Sequence, residues 1–186
     1  MKNIHSLEGQ VKRKIQENRV NFLLKKWGHS IDLETTINAQ RQGCVNDTNR
    51  HFSRIDFHIY SCTKSVVILE VDENQHYWYN LACEFSRMTD IKAALMLNNI
   101  ELPIHWIRYS PNGKFHIEGE HVKMNRLHRE NALKEHIEFL CSEEYSPECD
   151  RIHYMFYDLI DRESGPVIMD DDEFPTELLE TCTWKT

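Results

Sequence analysis

The side chains best able to do chemistry gather at one short stretch, Val66 to His76, which reads V-V-I-L-E-V-D-E-N-Q-H. It begins like a buried strand and ends abruptly in Glu70, Asp72, Glu73, Gln75 and His76. Such groups are costly to bury and add nothing to packing, so the stretch either ends in a solvated turn or holds something. A further carboxylate, Asp56, lies fourteen residues before Glu70. Two carboxylates side by side repel, and a shared proton or a cation resolves the conflict. A hard divalent ion with oxygen ligands answers the need: Mg2+ most simply, with Mn2+ as a substitute. On this reading Asp56 and Glu70 are metal ligands, the backbone carbonyl of Val71 adds another oxygen, and waters complete an octahedron.

Positioning those groups needs strands and helices, and the hydrophobic pattern supplies them. Gln10 to Trp27 carries Val11, Ile15, Val20, Leu23, Leu24 and Trp27 at roughly helical spacing, and Gly28 stops the helix. Ser30 to Asn38 reads as a strand with partial alternation, and Gln40 to Phe52 as a polar loop. Arg54 to Ser61 alternates Ile55, Phe57 and Ile59 against Asp56, His58 and Tyr60, the pattern of a half-buried strand. A tight turn at Cys62 and Thr63 leads into Lys64 to Asp72, a continuous apolar strand of the kind covered on both faces. Antiparallel pairing across that turn brings Asp56 and Glu70 within reach of each other. Tyr79 to Asn98 and Val122 to Cys141 are long amphipathic helices, while Leu102 to Tyr109 and Arg151 to Ile160 are strands. The fold class is therefore α/β, a mixed sheet flanked by helices.

The chain has 186 residues, enough for one domain with an elaborated edge. Hydrophobic residues make up 40 % and charged residues 28 %, which suits a soluble domain with a real core. No run approaches the length of a membrane span, and the start, M-K-N-I-H-S-L-E-G-Q, lacks an apolar signal core, so an intracellular location is expected. The six cysteines form no C-x-x-C pair and no zinc spacing, and all six read as reduced thiols. A net charge of −8 argues against nucleic-acid binding by the whole surface, although the first and last helices carry local basic stripes.

The ordered set of motifs resembles the PD-(D/E)XK restriction-endonuclease-like superfamily. It comprises R-x-D-F at Arg54 to Phe57, E-V-D-E-N-Q-H at Glu70 to His76, E-x-x-R-M at Glu84 to Met88 and I-R-Y-S-P at Ile107 to Pro111. The order is similar to a branch that includes very-short-patch-repair-like endonucleases and small proteins of large DNA viruses and protists. The resemblance covers Glu17 to Leu140. It implies a restriction-endonuclease-like sandwich over residues 1–160, with an acidic tail over 161–186 packed on or extending the same domain. The implied activity is metal-dependent hydrolysis of DNA phosphodiester bonds, the metal polarising the phosphoryl group and acidifying a bound water. Asp56 and Glu70 become primary ligands, and Glu17, in its E-x-x-V-x-x-L-L setting, matches the helix glutamate, with Glu8 as competitor. The usual lysine two residues after the second acid is Asp72 here, a further ligand or a base. Gln75 or His76 takes over water positioning, a neutral histidine being suited to general-base work near pH 7. Arg54, Arg87 and Arg108 are candidate contacts to the DNA phosphates. Nucleases of this kind cut as homodimers or nick as monomers, and the sequence chooses neither.

Each assignment has a plainer counterpart. Asp56 and Glu70 also fit a solvated strand end, Asp72 and Glu73 a turn, and His76 a packed histidine beside Tyr77. Glu84 and Arg87, at i and i+3, also fit a structural ion pair. The main rival function is a catalytically inactive binding module for nucleic acid or protein, which the lost lysine favours. An enzyme acting on small phosphate esters is disfavoured by the lack of a Gly-rich phosphate loop.

Overall fold

The computed structural model describes residues 4–37, 53–73, 81–112, 114–117, 120–157 and 167–170. Helix α1 (Ile4–Lys26) leads into strands β1 (Ile31–Ile37), β2 (Ser53–Ile59) and β3 (Val66–Val71). Helix α2 (Leu81–Leu97), strand β4 (Ile104–Tyr109), a hairpin of β5 (Lys114–Ile117) and β6 (Glu120–Lys123), helix α3 (Arg126–Leu140) and strands β7 (Arg151–Met155) and β8 (Val167–Asp170) follow. The main sheet has six strands in the order β1-β2-β3-β4-β7-β8. The first three strands form an antiparallel meander, β3–β4 and β4–β7 are parallel, and β8 returns antiparallel to β7. The molecule is thus α/β with a mixed sheet, as the hydrophobic pattern predicts. No helix among the described residues is long and apolar enough to cross a membrane.

The helix ends follow from local chemistry. At the end of α1, Gly28 adopts φ 87, and the amides of Gly28 and His29 reach back to the carbonyls of Lys25 and Leu24. Asn99 does the same for α2 at φ 61, with the Asn99 and Ile100 amides on the carbonyls of Met96 and Leu95. Both are Schellman closures, which need the left-handed conformation that glycine and asparagine tolerate best. Helix α3 starts later than the sequence predicts. Glu120–Lys123 pairs with Lys114–Ile117, and the Asn125 side chain caps the helix by accepting from the Leu127 amide at 2.8 Å. The helical spacing of Val122 thus belongs to a strand, because its backbone bonds go to the hairpin. Val167–Asp170, inside the segment expected as a tail, forms the edge strand of the sheet. The expected loop over 40–52 and the residues 158–160 at the end of the expected last strand lie outside the described residues.

The sheet has a core on each face. On one, Val20 and Leu24 of α1 and Leu133, Ile137 and Leu140 of α3 pack on Val67, Leu69, Val71, Ile107 and Tyr109. On the other, Met88, Ile91 and Leu95 of α2 pack on Val66, Ile68, Ile104 and Trp106. Because side chains alternate along a strand, Glu70 and Asp72 follow Val66 and Ile68 onto the α2 side. Strand β2 departs from strict alternation: Ile55 joins the α2-side core while Phe57 and Ile59 join the other. The interruption falls at Asp56, across from Glu34, which has φ 50.

One sequence expectation is overturned. Cys62, in the turn between β2 and β3, and Cys141, the C-cap of α3, are joined in a disulfide across 79 residues of sequence. Only the packing of α3 against the hairpin end brings them together, so their spacing along the chain carries no trace of the pairing.

Candidate active site

Strand β3 is the centre of the site. It lies between β2 and β4, so its backbone is paired on both sides, and its carboxyl end delivers Glu70 and Asp72 to the α2 face. The last paired residues of β2 and β3 are Phe57 and Leu69, and one further step of that register sets Asp56 opposite Glu70. Asp56 Oδ2 accepts the amide of Val71 at 2.8 Å, which pins its carboxylate at the strand end. The parallel neighbour β4 sets Arg108 directly beside Glu70. Helix α2 supplies Glu84 and Arg87 from above, three residues apart on one face.

These residues form a buried ionic cluster. Arg87 Nη2 lies 3.1 Å from Glu70 Oε1 and 3.2 Å from Glu84 Oε2. The contact with Glu70 is a close approach of charges without good hydrogen-bond alignment at Oε1. Arg87 Nη1 donates to the backbone carbonyl of Arg54 at 2.8 Å, which ties α2 to β2. Arg108 Nη1 donates to Glu84 Oε2 at 2.8 Å, and Arg108 Nε donates to Asp72. The hydroxyl of Tyr157, just after β7, also donates to Asp72. Asp72 is 0 % exposed and Glu70 5 %.

Among the described residues, four carboxylates, Asp56, Glu70, Asp72 and Glu84, gather about two guanidiniums, Arg87 and Arg108. Burial pushes the Glu70 pKa up to about 8, Arg87 opposes that shift, and Asp56 adds to it. Glu84, although burial favours its neutral form, is held below the ordinary carboxylate range by Arg108 and Arg87. Burial disfavours the charge on Arg108, yet Asp72 beside it holds its pKa well above the usual value. Burial, and then the Asp72 charge, push the Tyr157 hydroxyl up, so it remains a donor.

The structure distributes the sequence-predicted residues unevenly. Asp56, Glu70, Asp72, Glu84, Arg87 and Arg108 come together. Arg54 contributes its carbonyl, while its side chain is half exposed and pairs with Glu34. Glu17 sits on α1, one turn before Val20, on the helix that packs against the opposite face of the sheet. Gln75 and His76 lie outside the described residues, as do the side chains of 4–14, Glu8 among them. Sequence reasoning missed Tyr157, which lies within an apolar run and carries no motif that would mark it. An open cleft of about 630 Å³ lies beyond the end of β4, lined by Gln16, Pro111, Asn112, Lys123, Arg126 and Arg129 among others, with no carboxylate among the described residues of its lining.

A divalent metal is implied by the resemblance, and the donor set can be tested against it. Among the described residues, no group of three or more His, Cys, Asp or Glu side chains is disposed to hold a metal ion. Magnesium needs fewer protein ligands, since it keeps several waters and uses one or two carboxylates plus substrate phosphates. Asp56 and Glu70, two carboxylates opposite each other, fit that requirement in ligand type. No protein-family model matches the chain, nor does any curated protein or solved structure.

Proposed function

We propose that the chain is a restriction-endonuclease-like domain that hydrolyses DNA phosphodiester bonds with a divalent metal. The observation that carries the reading is the meeting of two carboxylates, Asp56 and Glu70, opposite each other at the carboxyl end of β3. Two further features support it. The order helix, three-strand meander, helix, parallel strand matches the order read from the hydrophobic pattern across the span of the resemblance, with helices on both faces of the sheet. A cation-lined cleft beyond β4, on the side of the sheet that α1 and α3 cover, offers Lys123 and Arg126 to a phosphodiester backbone.

In this reading Asp56 and Glu70 hold the metal, which when bound supplies Lewis acidity and an acidified water. The protein's own groups do the positioning. The Val71 amide fixes Asp56, Arg87 fixes Glu70 against α2, and Arg108 links Glu84 to Asp72. Asp72, buried and bonded by Arg108 and Tyr157, acts as the anchor of Arg108 rather than as a base. Proton transfer then falls to Gln75 or His76, of which only the histidine can accept a proton at neutral pH.

That same anchoring of Asp72 favours a second reading, in which the fold persists as a non-catalytic binding module. The position that holds a catalytic lysine in the superfamily is here an internal salt bridge. Cleavage of supercoiled plasmid DNA with Mg2+ or Mn2+ separates the two. Metal-dependent nicking or linearisation that Asp56→Ala and Glu70→Ala both abolish supports the nuclease. A folded protein with no cleavage under either metal selects the binding module.

A further inference from the structure

The Cys62–Cys141 pair lies away from the carboxylate cluster, at the opposite end of the β2–β3 hairpin, and the proposed activity does not use it. Its surroundings are specific. Ser61 Oγ lies 3.8 Å from Cys141 Sγ and 2.8 Å from His29 Nδ1. Three segments therefore meet at one sulfur: the link after α1, the hairpin turn and the cap of α3. Cys62 is buried, whereas Cys141 is only partly so, which makes Cys141 the sulfur a small molecule reaches. Burial lowers the pKa of the His29 imidazole. In the reduced state, Nδ1–H can donate to Ser61 and the Ser61 hydroxyl can donate to Cys141. Donors aimed at sulfur favour the thiolate, the form that attacks disulfides and leaves from them.

We infer that Cys62 and Cys141 are a reversible thiol–disulfide exchange site, with Cys141 as the sulfur that reacts with a low-molecular-weight disulfide or thiol of the glutathione class. Oxidation begins with the Cys141 thiolate attacking one sulfur of the small disulfide, which releases one small thiolate and leaves a mixed disulfide on Cys141. Cys62 then loses its proton and attacks Cys141 Sγ, which expels the second small thiolate. Two protein thiols and one small disulfide become one protein disulfide and two small thiols. Reduction runs the same steps backwards, with a small thiolate entering at Cys141 and Cys62 leaving first. The bond fastens the cap of α3 to the hairpin whose far end carries Asp56 and Glu70, so exchange changes how firmly α3 is held to the sheet. The inference does not depend on the nuclease reading.

The test equilibrates the full chain in buffers of graded reduced-to-oxidised glutathione ratio. Acid quenching, alkylation and peptide mass spectrometry then give the fraction of Cys62–Cys141 disulfide. The expected result is a single transition confined to this pair, abolished by Cys62→Ser and by Cys141→Ser. Oxidation should raise the thermal midpoint by on the order of 10 °C, because the closed loop is long. Ser61→Ala should slow exchange by on the order of tenfold at neutral pH and shift its pH–rate profile upward, with circular dichroism unchanged. Persistent alkylation of both cysteines at every ratio would overturn the inference. So would a disulfide that survives a large excess of reduced glutathione in the folded protein, since that describes a permanent staple. An unaltered rate and pH profile in Ser61→Ala would overturn the role given to Cys141.

Discussion

Replacing Arg108 by methionine should be among the most damaging single changes in this protein, and its size can be worked from the contacts. The side chains of Arg108 and Asp72 are almost wholly out of water. Arg108→Met preserves much of the volume but removes one guanidinium from both Asp72 and Glu84. Breaking a buried pair from one side costs about 3–5 kcal/mol, because a charge remains in a medium that solvates it poorly. For a chain of this size that lowers the melting temperature by on the order of 10 °C. Asp72→Asn should cost less, about 1–3 kcal/mol, since Arg108 keeps Glu84 at 2.8 Å and the amide oxygen can still accept from Tyr157. The double variant removes both charges, so its cost should fall short of the sum of the singles by about 2 kcal/mol. Urea unfolding of the four proteins, followed by circular dichroism, supplies the cycle. Additive costs, or an Arg108→Met protein within about 1 kcal/mol of the parent, would refute the claim that the pair is buried and coupled.

Other outcomes follow from the same geometry. In chelator, Glu70 binds its proton more tightly in the folded state, with a pKa of about 8 against an ordinary 4.5. Its contribution is therefore complete below pH 4.5 and is lost as pH rises through 8, by about 4 kcal/mol between pH 5 and pH 9. Glu70→Gln should flatten that decline in a pH series of unfolding curves, and Mg2+ should restore alkaline stability to the parent but not to the variant. His136 behaves in the opposite sense: burial, and then His105, lower its pKa from 6.5 to about 4. The unfolded chain takes up that proton first, so stability present above pH 6.5 is lost as pH falls toward 4, by about 3 kcal/mol. A His136→Asn protein whose acid limb matches that of the parent would sink this assignment. Arg87→Ala should lower stability by about 3 kcal/mol and abolish any metal-dependent cleavage, since it unties α2 from both Glu70 and the Arg54 carbonyl.

The strands and helices were legible because each carries its own signal. Val66 to Val71 reads as a central strand from six consecutive residues, and Gly28 and Asn99 mark helix ends through backbone conformations few other residues adopt. The meeting of Asp56 with Glu70 was also legible, because a short turn between two strands fixes their register. Groups brought together from separate elements were not. Tyr157 looks like any aromatic in an apolar run, and only the placement of the chain just after β7 sets its hydroxyl on Asp72. Val122 and Lys123 read as the start of the helix that follows, but their backbone hydrogen bonds go to a partner strand that no local pattern reveals.

What the sequence determined by itself was therefore the inventory: an α/β chain with acids at the end of a buried strand. Tertiary structure decided what the acids face. Type and spacing leave the surroundings of Asp72 open, and the tertiary structure buries it with Arg108 and Tyr157 donating to it. Cys62 and Cys141 are ordinary small apolar residues in their own segments and become a bonded pair only when α3 ends against the hairpin turn. Local interactions are encoded within a few residues and can be read there, whereas charge compensation and covalent pairing depend on which distant surfaces the whole core brings into contact.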